Sequence, residues 1–258
     1  MKTKLKYKKR KQKKLIIELT NVNKVFSVSS NHNSKNKTED FYALKNINLK
    51  VFKGDKLGLI GPNGAGKTTL CKIIAGISTP SSGTVKIQGK IVAITDLQAG
   101  FHPDLTGYEN ITLNGLIIGM SKSEIESKKQ QIIQFADINR YINEPFYTYS
   151  SGMKFRLAFA IAIASKCDIL ILDEVFISGD IDFQQKTLAI LKKIQSTNKI
   201  TTIICSHLPS LIWSFSNIFY QINNGLIKKL HQRQAFIETK KQHQKWVKNF
   251  ALKSIVSS

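Results

Sequence analysis

The chain has 258 residues, 42% of them hydrophobic, with 39 Lys or Arg against 17 Asp or Glu and a formal net charge of +22. That length buries one α/β domain with a subdomain and excludes two complete copies of such a unit. No uninterrupted apolar stretch approaches the ~18 to 20 residues of a spanning helix, and the opening Met-Lys-Thr-Lys-Leu-Lys-Tyr-Lys-Lys-Arg lacks the apolar core of a secretory signal, so the cytoplasm is the expected compartment.

Residues 1–14 hold nine Lys or Arg and no acid, nine of the 22 net charges, and a second basic cluster lies between Lys228 and Lys253. Such runs read first as solvated tails and second as contacts for anionic lipid headgroups. Nucleic acid comes third, because no base-reading module accompanies them. A strand is expected over Leu15 to Val25, closed by Phe26. Ser27 to Asp40, rich in Ser, Asn and Lys, reads as an inserted flexible loop. Tyr42 closes that loop and is expected to pack under Ala43 to Leu49.

Lys56 to Ile60 then reads as a buried strand, and Leu70 to Ala75 places apolar residues at helical spacing. Between them lies Gly61-Pro62-Asn63-Gly64-Ala65-Gly66-Lys67-Thr68-Thr69, which satisfies the phosphate-loop pattern G-x-x-x-x-G-K-[ST] in the strand-to-helix setting the pattern requires. A loop of this kind turns backbone N–H groups inward around phosphate oxygens, and the helix behind it adds partial positive charge. Lys67 is then expected to reach the β- and γ-phosphates and Thr68 to ligate Mg²⁺.

Tyr108 to Asn143 reads as mostly helical, with apolar positions 125, 132, 133 and 136 marking one face of a helix. Tyr149-Ser150-Ser151-Gly152-Met153 precedes Lys154-Phe-Arg156 and an Ala-rich helix, Leu157 to Ala164. Cys167-Asp-Ile-Leu-Ile-Leu-Asp173-Glu174 is an apolar strand ending in two acids. On such a strand Asp173 would hold Mg²⁺, directly or through water, and Glu174 would orient or deprotonate an attacking water. A strand from Ile200 to Ile204 ends in Cys205-Ser206-His207, and residues 231–258 read as a basic helical tail. Cys71, Cys167 and Cys205 fall inside core elements at unrelated spacings and read as reduced packing residues.

The order of these motifs resembles the nucleotide-binding domain of ATP-binding cassette (ABC) transporters, over about residues 15–230. The resemblance implies an α/β P-loop NTPase of the ABC type. It would have an antiparallel β subdomain and a helical signature subdomain over about residues 104–160. It implies ATP and Mg²⁺ as the bound pair and a homodimer, because the signature loop of one copy closes over the ATP held by another. Ser150 and the N–H groups of Ser151 and Gly152 would contact the γ-phosphate in trans. Asp180 matches the loop that crosses between copies, and His207 would contact the γ-phosphate and help hold Glu174 and the water in line. The adenine platform falls to Phe26 or Tyr42, with Phe26 preferred because it closes the first strand. The Gln usual six residues before Pro103 is here Leu97, and its role passes to Asp96 or Gln98.

Departures from the common Leu-Ser-Gly-Gly-Gln signature narrow the resemblance. Tyr149-Ser-Ser-Gly-Met153, Ala99-Gly-Phe-His-Pro-Asp-Leu-Thr-Gly107, Glu109-Asn-Ile111, Leu113-Asn-Gly115 and Phe183-Gln-Gln-Lys186 are similar to ATPases that export O-antigen, capsular polysaccharide and wall teichoic acid. This implies an ATP-hydrolysing subunit on the cytoplasmic face of the membrane. Its partners would be integral membrane permease subunits and, through them, a lipid-linked glycan, with no specific nucleic acid. Gly100 to Leu105 and the helical subdomain would form the cleft that receives the permease. An ABC ATPase for a lipid or drug, and a soluble nucleic-acid-associated ATPase, are the competing readings.

Overall fold

The computed structural model describes residues 13–29, 38–95, 100–173, 181–197, 199–206 and 209–256. The strands are β1 (Leu15–Ser29), β2 (Thr38–Phe52), β3 (Lys56–Ile60), β4 (Ser82–Ile87), β5 (Ile91–Ile94), β6 (Ile169–Asp173), β7 (Thr201–Cys205), β8 (Ile218–Asn223) and β9 (Leu226–Leu230). The helices are α1 (Lys67–Ile74), α2 (Gly107–Ile117), α3 (Lys122–Ala136), α4 (Ser151–Ala164), α5 (Ile181–Ser196), α6 (Pro209–Phe215) and α7 (Gln232–Val256). No described helix is long and apolar enough to cross a membrane.

An antiparallel sheet in the order β2-β1-β4 faces a sheet in the order β5-β6-β7-β3-β8-β9, parallel throughout except for β9. The β1–β2 hairpin reaches into the segment expected to be loop. Val25 lies opposite Tyr42 and Phe26 opposite Phe41, and Ser27 Oγ donates to Asp40 Oδ1 at 3.0 Å. Aromatic and β-branched cross-strand pairs hold such a ladder where composition alone suggests a loop. Residues 30–37 of that expected insertion, and residues 1–12 of the basic tail, lie outside the described residues. The end of the tail is tied down, since Lys13 Nζ pairs with the buried carboxylate of Asp55 at 2.7 Å.

β3, β6 and β7 are buried at every position, which is why each reads as a continuous apolar run rather than an alternating one. Their side chains nevertheless alternate between two cores. Ile169, Ile171, Ile203 and Cys205 join Leu57, Leu59, Leu70 and Ile74 beneath the antiparallel sheet. Leu170, Leu172 and Ile204 join Phe155, Phe159 and Phe183 on the opposite face. Each such fully buried side chain stabilises by about 1.5–3 kcal/mol.

α4 shows why its sequence is apolar all round. Phe155, Phe159 and Ala162 enter the sheet-side core, while Leu157, Ala160 and Ile161 enter a third core with Ile111, Ile125, Ile132 and Ile133 from α2 and α3. A helix buried on both sides has no polar stripe to show. The positions expected at the helical face, 125, 132, 133 and 136, are all buried. Capping boxes at Thr106 with Glu109 and at Ser121 with Glu124 start α2 and α3.

Candidate functional site

At the carboxyl end of β3 the chain turns through 61–66 into α1. Gly66 caps α1 with φ of 108°, and a Cβ there would stand 2.4 Å from the Ala43 carbonyl oxygen. Only glycine meets both demands. α1 has no side-chain cap and no acid in its first turn, so its leading N–H groups are left for an anion. The loop is braced from behind, with Gly225 N–H donating to the Ala65 carbonyl at 3.2 Å and Lys45 N–H to the Gly225 carbonyl at 2.7 Å. Pro62, Asn63, Gly64 and Thr68 face solvent, and Thr69 is half-buried. Lys67 is only 6% exposed, and its ammonium donates to the Gly61 and Pro62 carbonyls at 2.8 and 2.9 Å. Lys67 is thus a buried cation held by the carbonyls of its own loop.

Asp173 ends β6, 7% exposed, directly opposite Cys205 on β7. β7 in turn pairs with β3, so a single strand separates the phosphate-loop strand from the acidic one. The Cys205 thiol registers this convergence. Contact with the Cys71 thiol, whose sulfur is 3.5 Å away, and burial push its pKa well up; the Asp173 carboxylate adds to the rise and the Lys67 ammonium opposes it. Lys67 and Asp173 thus both lie within electrostatic reach of Cys205 on β7, against which α1 packs. Sequence spacing gave no hint of the Cys71–Cys205 contact, because the residues meet only across the α1–β7 packing.

These residues fit ATP and Mg²⁺. The loop offers N–H donors and an ammonium to phosphates, and the Thr68 hydroxyl with the Asp173 carboxylate offers two oxygen ligands. Mg²⁺ accepts such a partial set because it completes its octahedron with phosphate oxygens and water. Glu174, Asp180 and His207 lie outside the described residues, as do Asp96, Leu97 and Gln98.

Ser150 caps α4, its Oγ accepting the Met153 N–H at 3.2 Å, and Ser151 is exposed. A Cβ on Gly152 would meet nothing closer than Ser150 Oγ at 3.9 Å. The Ser-Ser-Gly loop is thus held open toward solvent at the start of a helix packed against α2 and α3. Phe26 and Tyr42 are 44% and 47% exposed, so Tyr42, itself within β2, does not pack under residues 43–49 as the sequence suggested. Lys24 Nζ lies 5.1 Å from the Phe26 ring centroid. In the helical layer Phe101 stacks on Phe146 at 4.6 Å, whereas Tyr108 is exposed beside Lys129.

The sequence of the O-antigen export system ATP-binding protein RfbB of Myxococcus xanthus is 43% identical over 188 residues, 73% of this chain and 43% of that protein. The chain thus spans under half the length of that relative. The teichoic acids export ATP-binding protein TagH of Shouchella clausii (strain KSM-K16) is 36% identical over 238 residues, covering 88% of this chain and 66% of the relative. Among solved structures, the dimeric ATP-binding cassette MJ0796 in a post-hydrolysis state with ADP and Pi superposes with a TM-score of 0.69 at 25% identity, covering 84% of this chain and 99% of that one. A family model described as ABC transporter takes in residues 44–177, from the strand behind the phosphate loop past the acidic end of β6. A match that spans just over half of the sequence and both halves of the phosphate site leaves one assignment, that this chain belongs to the ABC transporter family.

Proposed function

We propose that this chain is the ATP-hydrolysing subunit of an exporter that moves a lipid-linked cell-surface polysaccharide or polyol-phosphate polymer outward across the cytoplasmic membrane. The observation that carries the reading is the phosphate-loop and Asp173 geometry in a chain whose relatives are named for O-antigen and teichoic acid export. On this reading two copies form a homodimer at the cytoplasmic face and bind integral membrane permease subunits, which supply the path for the glycan.

In the reaction, Lys67 leaves the Gly61 and Pro62 carbonyls for the β- and γ-phosphate oxygens, and the N–H groups of residues 63–69 surround them. Thr68 and Asp173 would hold Mg²⁺, which when bound neutralises charge on the phosphates. Glu174 orients a water for in-line attack, whose oxygen bonds to the γ-phosphorus as the bond to the β–γ bridging oxygen breaks, releasing ADP and phosphate. His207 keeps Glu174 and the water aligned. Ser150, Ser151 and Gly152 of the other copy donate to the γ-phosphate, with Asp180 in the loop that crosses between copies. Phe26 stacks on adenine, an assignment supported by its exposed ring on the β1–β2 ladder opposite Phe41, three residues before β1 ends at Ser29.

The test is co-purification with the permease encoded beside it, followed by ATPase measurement with and without lipid-linked glycan. Lys67→Ala should remove ATP binding, and Glu174→Gln should bind ATP without turnover. Stimulation by permease and glycan supports the reading. An activity that ignores both and rises with RNA or DNA sinks it.

A further inference from the structure

α7 meets the catalytic core along one face. Ala235 is fully buried in a cluster with Ile60, Ile212 and Phe219. One turn on, Trp213 Nε1 of α6 donates to the buried Thr239 Oγ1, and Gln221 Nε2 of β8 donates to Glu238 Oε2, both at 3.1 Å. One turn further, Gln242 Oε1 accepts the Gly61 backbone N–H at 3.1 Å. Positions 235, 238, 239 and 242 follow helical spacing, so a single stripe touches β8, α6 and the first residue of the phosphate loop. Sequence could not reveal the last contact, whose partners are 181 residues apart.

Gly61 lies just past the last β3 pairs, Leu59 with Cys205 and Ile60 with Gln221, where its buried N–H has left the sheet ladder. A buried N–H in that position requires an acceptor. The same residue's carbonyl accepts Lys67 Nζ at 2.8 Å, so Gly61 is gripped from α7 on one side and by the phosphate-binding lysine on the other. We propose that Gln242 is a positioning residue of the phosphate loop: it fixes the peptide against which Lys67 rests and makes the docking of α7 and nucleotide affinity interdependent. This rests on the phosphate-loop reading. Coupling of this kind is reciprocal, so bound nucleotide also makes opening of α7 less favourable.

The experiment compares the full chain with Gln242→Met, which keeps length and removes the amide acceptor, and with Gln242→Glu, which keeps an acceptor. Gln244→Met, at an exposed position of the same helix, serves as control. MgATP affinity and turnover are measured well below the unfolding temperature, with residue-resolved amide exchange across 59–66. Losing one hydrogen bond predicts a Kd and KM for ATP raised about three- to tenfold in Gln242→Met with kcat within about twofold. Exchange at Gly61 should accelerate by a similar factor, and Gln242→Glu should restore its protection. Unchanged affinity, or faster exchange spread over the whole fold with a lowered Tm, would overturn the proposal. If Lys67→Ala also bound ATP normally, the phosphate-loop reading itself would fall.

Discussion

Tyr149 stands where most ABC signatures have Leu, and the structure gives its phenol a task. Its hydroxyl donates to the Tyr141 carbonyl at 2.6 Å, while the ring lies 5.5 Å from Phe146. Gly107, the first residue of α2, leaves room for it, since a Cβ there would lie 2.1 Å from the Tyr149 oxygen. Tyr149 therefore pins the residue before Ser150 to the start of the helical subdomain. Tyr149→Phe should destabilise by about 1 kcal/mol, the net value of one hydrogen bond. Gly107→Ala should cost about 1–3 kcal/mol by overpacking. The double variant should fall short of the sum, because removing the hydroxyl relieves the worst contact. Burial, with the Glu144 charge behind it, raises the Tyr149 pKa from 10.0 to about 12. The folded state thus holds its proton longer than the unfolded chain, and this stability is complete below pH 10 and lost as pH rises from 10 toward 12. Urea melts of wild type and Tyr149→Phe should show a gap that closes over that alkaline window.

Among the elements, Asp168 shows how loops far apart in sequence are tied at the amino end of the parallel sheet. Its carboxylate accepts the Lys90 N–H at 3.1 Å and the Lys53 ammonium at 3.2 Å, joining the turns before β5 and β3 to the start of β6. The Lys90 N–H first, and Lys53 second, hold its pKa below the ordinary 3.8. A depressed acid contributes stability above its unfolded pKa and loses it as pH falls. Asp168→Asn should therefore lower stability at neutral pH by no more than about 1 kcal/mol, since both charged partners are exposed. The difference should hold above pH 3.8 and shrink as pH falls below it, which denaturant melts in a pH series from 7 into the acid range would show. The same elements explain what the sequence reveals. β3, β6 and β7 are legible because burial on both faces writes a continuous apolar run, and α3 because one face alone is buried. The hairpin beyond Phe26 is not legible, because Ser27 and Asp40 serve it by hydrogen bonding while composition marks them as loop. Nor is the docking of α7 legible. Its basic residues read as a solvated tail, and only Ala235, Glu238, Thr239 and Gln242 on one stripe record that the helix is anchored.

For the whole molecule, the phosphate loop and the Ser-Ser-Gly loop belong to different layers of one chain. The first lies where β3 meets α1, and the second caps α4 against α2 and α3. Ser150 Oγ accepts the Met153 N–H of its own first turn, and a Cβ on Gly152 would meet nothing closer than Ser150 Oγ at 3.9 Å. On the proposed reading a second copy completes the γ-phosphate site, and a two-fold related dimer would hold two composite sites, each made from the loop of one chain and the signature of the other. Gly152→Asp is suited to test this, because a Cβ at Gly152 meets nothing closer than Ser150 Oγ at 3.9 Å, so the single chain accommodates the substitution while the proposed trans site would receive a repelling carboxylate. Lys67→Ala and Gly152→Asp should each abolish ATPase activity alone. Mixed in equal amounts and allowed to exchange, half of the dimers pair one variant with the other. Each mixed dimer regains one intact site of two, so activity should recover to about a quarter of wild type if sites act independently. No recovery in mixtures proven by tagged pull-down to contain mixed dimers would mean that the signature serves its own chain, and the two-copy reading would be lost.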